Sequence, residues 1–347
     1  LKKIVLNNIA QPGVIDRCFK NLRFNVNELS DDQDTLELFY KLTNYIQTTD
    51  EPKEMTVLWN LLFKKNRSIL TKPSKFTPEQ SIANTVFLSI TSCKRLDLFT
   101  ETMNSILNHW TDADEINYWF CVDDNSSKED RQKMKKQYPF MNFYLKTPEE
   151  KGHRESMNII WNKLKQLKPK YWIHMEDDFL FYIKRSYVGD SIKFLDSQKD
   201  IKQVLFNRGY SETIADVDMR GYTPLSPGFV VHEHKQGKFP YKNCHYWPHY
   251  SFRPSMIDVQ TILKLGNYNS PNQFFERDYA DKWVEAGYRS AFFDMVCCRH
   301  TGRLTSERND KTVKNAYDLN NENQFEQSKS MKVINLKRRS DRKEYMT

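Results

Sequence analysis

The chain has 347 residues, 39% hydrophobic and 14% aromatic, which allows one large domain or two modest ones. A formal net charge of +8 and a mean hydropathy of −0.76 describe a very polar, basic surface, and no apolar run approaches the length of a membrane span. The simplest reading of the charge is a solvated lysine-rich surface, the functional one attraction to an anionic partner such as a nucleotide or polyanion; the basic runs at Lys133 to Lys136 and Lys163 to Lys170 lack interleaved aromatics, which argues against nucleic-acid binding.

Residues 1–80 read as a helical extension. Leu36, Leu38, Phe39, Leu42 and Ile46 form one apolar stripe at helical spacing, and Val57, Leu58, Leu61 and Leu62 form another. Ser30-Asp31-Asp32 is a helix-start signal. After Pro73 and Pro78 the pattern changes. Asn84 to Thr91 predicts a strand, and Leu96 to His109 a helix. Tyr118 to Val122 predicts a second strand running into Asp123-Asp124-Asn125, and a polar helix covers about 128–138. Phe140 to Leu145 predicts a third strand. A helix over 155–167 follows, stopped by Pro169, and Tyr171 to Met175 predicts a fourth strand. This βαβαβαβ order implies an α/β fold with a mostly parallel sheet flanked by helices, whose ligands bind beyond the carboxyl ends of the strands.

The second half is less regular. Gln203 to Asn207 reads as a strand, and 212–236 as a loop holding Pro224, Pro227 and Gly228. The segment His245 to Phe252 is aromatic, so Trp247, His249 and Tyr250 offer a wall for an acceptor, although such stripes are more often core. A helix over 274–286 opens on Glu276-Arg277-Asp278. A strand over 290–297 leads into Cys298-Arg299-His300, and 306–330 reads as a polar linker. No GxGxxG follows the first strand and no GxxxxGK[ST] occurs, so a dinucleotide or P-loop site is a poor reading. The six cysteines (Cys18, Cys93, Cys121, Cys244, Cys297, Cys298) show no CxxC or zinc spacing. Four of them lie in or beside apolar runs and read as core. Their use favours a reducing, cytoplasmic compartment, whereas the endoplasmic reticulum lumen would require a leader removed ahead of Leu1.

The chemistry concentrates where Tyr171-Trp172-Ile173-His174-Met175 meets Glu176-Asp177-Asp178. Along an extended backbone Glu176 and Asp178 point to one side. Carboxylates crowded at a strand end repel unless a cation lies between them, and a hard divalent ion is the natural counter-charge. Asp178 is the first expected ligand and Glu176 the second. The simpler alternative is helix capping, which needs one acid rather than three.

The ordered set resembles a nucleotide-sugar glycosyltransferase of the GT-A type over about 84–305. Glu176-Asp177-Asp178 resembles that family's "DxD" metal signature, with glutamate in the first place. Asp123 and Asp124 resemble its contact to base and ribose. Lys151-Gly152-His153-Arg154, followed by Asn158, resembles its loop near the diphosphate. Glu276-Arg277-Asp278-Tyr279 resembles its acidic pair near the acceptor, and His300 a late metal ligand. The resemblance implies Mn²⁺ (Mg²⁺ as the alternative) held by Glu176, Asp178 and His300, since imidazole suits manganese better. It implies a UDP-sugar donor contacting Thr91, Cys93, Arg95, Asp123, Asp124, Lys151, Gly152, Arg154, Asp177 and Arg303. A base takes the acceptor's proton in an inverting reaction. Asp278 is the first candidate and Glu276 the second; two residues apart on a helix, they do not share a face. At the C-terminus, Met331 to Arg342 resembles the opening of family 25 glycosyltransferases, which include procollagen galactosyltransferases. That implies a second transferase domain beginning at 331–347 and a hydroxyl acceptor of the collagen hydroxylysine kind, or a glycan. Two readings compete: a nucleotidyltransferase making sugar nucleotides, and a non-catalytic carbohydrate-binding module.

Overall fold

The computed structural model describes residues 33–48, 53–73, 86–208, 222–232, 249–270, 275–303 and 312–322. The family 25-like tail at 331–347, Ser30-Asp31-Asp32, Pro78, Cys18, Cys244 and Trp247 lie outside the described residues.

The chain opens with helices α1 (Gln33–Thr48) and α2 (Lys53–Leu70). Strand β1 (Val86–Ser92) leads into α3 (Leu96–His109), and β2 (Tyr118–Asp123) into α4 (Lys128–Gln137). Then come β3 (Asn142–Leu145), α5 (His153–Leu167), β4 (Tyr171–Glu176) and the short β5 (Phe179–Phe181). The second half runs α6 (Tyr187–Ser197), β6 (Ile201–Leu205), β7 (Tyr222–Ser226), β8 (Phe229–His232), β9 (Ser255–Asp258) and α7 (Val259–Leu265). It continues with α8 (Phe275–Glu285), β10 (Arg289–Phe293), β11 (Cys298–His300) and α9 (Ala316–Leu319).

Among the described residues one sheet has nine strands in the order β3-β2-β1-β4-β9-β6-β10-β8-β7. The expected parallel block is β3-β2-β1-β4, with Thr91 level with Val122 on one side and with Glu176 on the other. That register puts three acid- or thiol-bearing strand ends side by side. Strand β9 enters antiparallel between β4 and β6, and β6 pairs β10 in parallel. Central strands β1 and β2 are buried almost throughout, as a sheet covered on both faces demands. One apolar cluster, including Phe99, Met103, Ile106 and Phe194, packs on one face; another, including Met157, Ile160, Trp172 and Trp283, packs on the other.

Two segments differ from the sequence expectation. Within 212–236, β7 and β8 form a hairpin turned by Gly228 at φ +85°. The proline that hid it, Pro224, sits on the edge strand, where a missing N–H leaves no ladder bond open. Strand β11 pairs antiparallel with β5 as a separate ribbon, with His300 opposite Phe179.

Side chains alternate along that ribbon. Phe179 and Phe181 join the main core, while Leu180 and Tyr182 face the α1–α2 hairpin. Thr102 and Ser105 of α3 accept from the N–H groups of Phe179 and Phe181, so this backbone is satisfied by hydroxyls instead of a further strand. The hairpin packs through Leu38, Phe39, Leu42, Ile46, Leu58 and Leu62, all buried, whereas Val57 and Leu61 face out (56% and 46% exposed). Trp59 stacks on Phe63 (4.9 Å) and meets Tyr182 edge-on, and its indole N–H donates to Thr43 Oγ1 (2.7 Å). Each such fully buried large apolar side chain contributes about 1.5–3 kcal/mol.

Candidate active site at the carboxyl ends of the parallel strands

Beyond β1, Lys94 takes φ +54° and turns the chain so that Arg95, 6% exposed, lies under the end of β4. Its guanidinium spans two carboxylates, donating to Asp178 Oδ2 (2.7 Å) and pairing closely with Asp177. Asp177, fully buried, also accepts from Ser92 Oγ (2.9 Å) and Cys93 N (3.3 Å). The alternation expected for 176–178 fails here, because β4 ends at Glu176 and residues 177 and 178 form a turn. Arg95 therefore gathers Asp177 and Asp178, and Glu176 faces the cleft separately.

The β5–β11 ribbon delivers the histidine. Thr301 N donates to Asp178 O (2.7 Å), and His300 Nε2 lies 3.2 Å from Asp178 Oδ2. A Cβ at position 302 would stand 2.1 Å from Asp178 Oδ2, so only glycine lets the chain pass there. Burial opposes the charge on Asp178, but Arg95 and His300 outweigh it and hold this carboxyl well below the ordinary range. Burial, with Asp178 alongside, pushes Glu176 upward. Burial also raises Asp177, against the pull of Arg95.

Among the described residues, no group of three or more His, Cys, Asp and Glu is arranged to hold a metal ion as it stands. The donor set nevertheless fits a hard divalent ion. Asp178 Oδ1 is buried with no hydrogen-bond partner, His300 lies against the same carboxylate, and Glu176 is one-third exposed beside them. One guanidinium pairs directly with two of the three carboxylates, while His300 and Arg253 offset Glu176 from further off; direct pairing thus leaves negative charge in excess.

The neighbouring strand ends are neutralised internally. Asp123, fully buried, pairs with Arg131 (2.5 Å) and accepts from Ser126 N (3.3 Å). Asp124 accepts from Lys146 Nζ (2.9 Å) and Gly152 N (2.8 Å). Lys146, 1% exposed, also donates to Gly152 O and Ser156 Oγ. Burial opposes the Asp124 charge, yet the hydrogen bond and charge of Lys146 and the Gly152 N–H pull its carboxyl below the ordinary range. Of this expected donor-contact pair only Asp124 lines the cleft. The lysine at this end is Lys146, which sequence reasoning missed; Lys151, the residue named, is exposed. Arg154 is also exposed; it donates to Ser270 O (2.6 Å), beyond α7, and does not line the cleft. Asn158 Oδ1 accepts from Tyr268 N, a structural contact. Gly152 stands at the start of α5, at φ +109°. His153, unnamed among the expected ligands, lines the cleft, with Nε2 3.8 Å from Glu176; burial, then Lys146, pull its imidazole down to about 4.

The two acids of α8 part company. Glu276 accepts from Phe252 N (2.8 Å) and Ser251 Oγ (3.1 Å) and lies within electrostatic reach of Glu176; burial pushes its carboxyl up to about 7. Asp278 turns to Ser270 and lines a separate cleft with Asn267, Asn269 and Lys282. Of the pair, Glu276 is thus the acid that lies near Glu176, and Asp278 faces another cleft. Helical spacing carried the signal: Tyr279, Ala280 and Trp283, at three, four and seven residues from Glu276, are buried, while the neighbours of Asp278 on its own face are exposed.

The aromatic wall does not form as expected. Tyr250 is fully buried, its hydroxyl bonded to Tyr268 (2.6 Å), with rings packed on Tyr279 and Trp283. His249 is buried at φ +55° behind β10, where its Nδ1 accepts from Ser290 N. Cys93, Cys121, Cys297 and Cys298 are buried free thiols, as expected, and burial first, then Asp124 and Asp177, push Cys93 up to about 12. Thr91, Cys93, Arg95 and Asp177 all line the cleft. Arg303, 8% exposed, pairs instead with Asp318 (2.6 Å) in the segment that crosses above.

No protein-family profile matches the chain, and no curated protein matches it. Solved structures do. A mannosyltransferase, PcManGT from Pyrobaculum calidifontis in complex with GDP-Man and Mn²⁺, is 13% identical, covering 77% of this chain and 68% of that one, with a TM-score of 0.44. GalNAc-T7 with UDP, GalNAc and Mn²⁺ is 10% identical over 72% of this chain and 53% of its own, at 0.46. S. aureus TarS 1–349 in complex with UDP-GlcNAc is 15% identical over 67% and 64%, at 0.42. The chain thus spans between half and about two thirds of these structures, and at such identities the likeness is in the path of the chain, not in its substrate.

Proposed function

We propose that this chain is a metal-dependent glycosyltransferase that moves a sugar from a nucleoside diphosphate donor to a hydroxyl acceptor. One observation carries the reading: an acidic triplet at a strand end, touching a histidine, lies within electrostatic reach of Glu276, whose carboxyl burial raises to about 7. Asp178 and His300, with Glu176 beside them, would hold Mn²⁺ or Mg²⁺, which when bound neutralises charge building on a diphosphate leaving group.

The protein's own residues do the rest. Arg95 fixes Asp177 and Asp178 in one arrangement and keeps Asp178 ionised. Lys146 and Gly152 lock Asp124 at the edge of the cleft. Glu276 takes the proton from the acceptor hydroxyl, and a carboxyl near 7 is well matched to that work at neutral pH. A UDP-hexose is the proposed donor and a protein or glycan hydroxyl the proposed acceptor; the hydroxylysine reading rests on the tail at 331–347 alone.

The test is thermal denaturation with UDP, UDP-sugars and GDP, with Mn²⁺ and with EDTA, followed by assay for released UDP. The expected result is stabilisation that needs ion and nucleotide together, with slow donor hydrolysis. Glycan binding without nucleotide release would instead favour a binding module, and pyrophosphate release from sugar phosphate and NTP a nucleotidyltransferase.

A further inference from the structure

The cleft built by these strand ends is already filled. Residues 312–322 run across it, with α9 laid over the end of β1. Lys314 Nζ holds both oxygens of Asp97 (2.9 and 3.0 Å), Lys94 Nζ donates to Leu319 O (2.9 Å), and Asp318 pairs with Arg303. Cys93 Sγ lies 3.7 Å from Ala316 O. Asn315 caps α9 through the N–H groups of Tyr317 and Asp318.

Tyr317 is the residue that enters. Its hydroxyl stands 3.5 Å from His153 Nδ1, and the side chain lies among Glu176, Glu276, Glu322 and Arg95, all close enough to act on its phenol. What remains beneath it is a cavity of about 50 Å³. Small-molecule sites enclose roughly 300–1,000 Å³.

We propose that residues 312–322 form an autoinhibitory strap: Tyr317 occupies the place of the nucleoside diphosphate, and the donor enters only when the strap lifts. This rests on the nucleotide-sugar reading of the cleft. The strap's outer tie, Lys314 to Asp97, is exposed on both sides, so the closed form is held by adjustable contacts. Apparent donor affinity falls in proportion to the fraction of molecules that are open.

The natural thiol of Cys93 supplies the test. Ala316→Cys puts a second thiol on the residue whose carbonyl oxygen lies 3.7 Å from Cys93 Sγ. In the full chain, titrating UDP with Mn²⁺ by calorimetry, the oxidised variant should bind at least tenfold more weakly than the same protein after reduction. Equal binding in the two forms overturns the strap and leaves the nucleotide reading standing. Failure of the unmodified chain, the reduced variant and Lys314→Glu alike to bind UDP or GDP overturns the nucleotide reading and the strap with it. Where the bridge does not form, Lys314→Glu, which sets two like charges at the outer tie, should tighten apparent UDP affinity roughly two- to fivefold. Unchanged or weaker affinity in that variant overturns the proposal.

Discussion

Two acidic turns sit one strand apart on the same edge of the sheet, Asp123-Asp124 after β2 and Glu176-Asp177-Asp178 at the end of β4. In sequence they look alike. In the fold the first is balanced: Asp123 has Arg131, and Asp124 has Lys146 and a backbone N–H. The second is not, since Arg95 pairs directly with two carboxylates at once, Asp177 and Asp178, and Glu176 faces the cleft apart from that pairing. Acids at a strand end therefore do not define a site. The residual charge after internal pairing does, and here it falls on one side only.

Removing the balancing charge is the hardest way to break that contrast. Lys146→Met should leave Asp124 buried and unpaired, lowering stability by about 3–5 kcal/mol, read as a shift in the urea midpoint. Next in size is Glu276→Gln, expected to cut turnover roughly 10²–10⁴-fold with the fold intact. Its pH profile sharpens the point. The parent's rate should rise as pH increases through about 7, because Glu276 must lose its proton to act as base, and that limb should vanish in the variant. Asp178→Asn should reduce turnover roughly 10²–10³-fold and abolish the ion-dependent thermal shift; a variant as active as the parent would show that the charge excess at β4 has no chemical role. Smallest of all, Val57→Lys and Leu61→Lys on the outer face of α2 should stay within about 0.5 kcal/mol of the parent.

The parallel block and its strand ends were legible because each strand is apolar, short and closed by polar residues. Arg95 and Asp177 lie at the strand ends that this order puts side by side. Lys146 was not legible: a lysine between a strand and Pro148 reads as solvated, and only the packing of α5 buries it. The roles of Glu276 and Asp278 were readable in principle from helical spacing, but not from the acidic cluster alone. The β5–β11 ribbon depends on residues more than a hundred positions apart, and no local pattern announces such a pairing. The hairpin β7–β8 hid behind Pro224, whose usual meaning as a strand breaker lapses at a sheet edge. Tyr317 stood in a polar, Asn-rich stretch with nothing local to mark it.

The ribbon that carries His300 is gripped on both sides, by α3 through Phe179 and Phe181 and by the helical hairpin through Leu180, Tyr182 and Val296. Arg299, next to the imidazole, lies over the rings of Phe63 (4.8 Å) and Trp59 (5.3 Å) and donates to Asn60. The hairpin brings no reactive group, yet it works as a jig that sets the tolerance with which the imidazole meets Asp178. Loosening its grip should weaken the ion binding proposed for His300 and Asp178, while the sheet beneath keeps its shape.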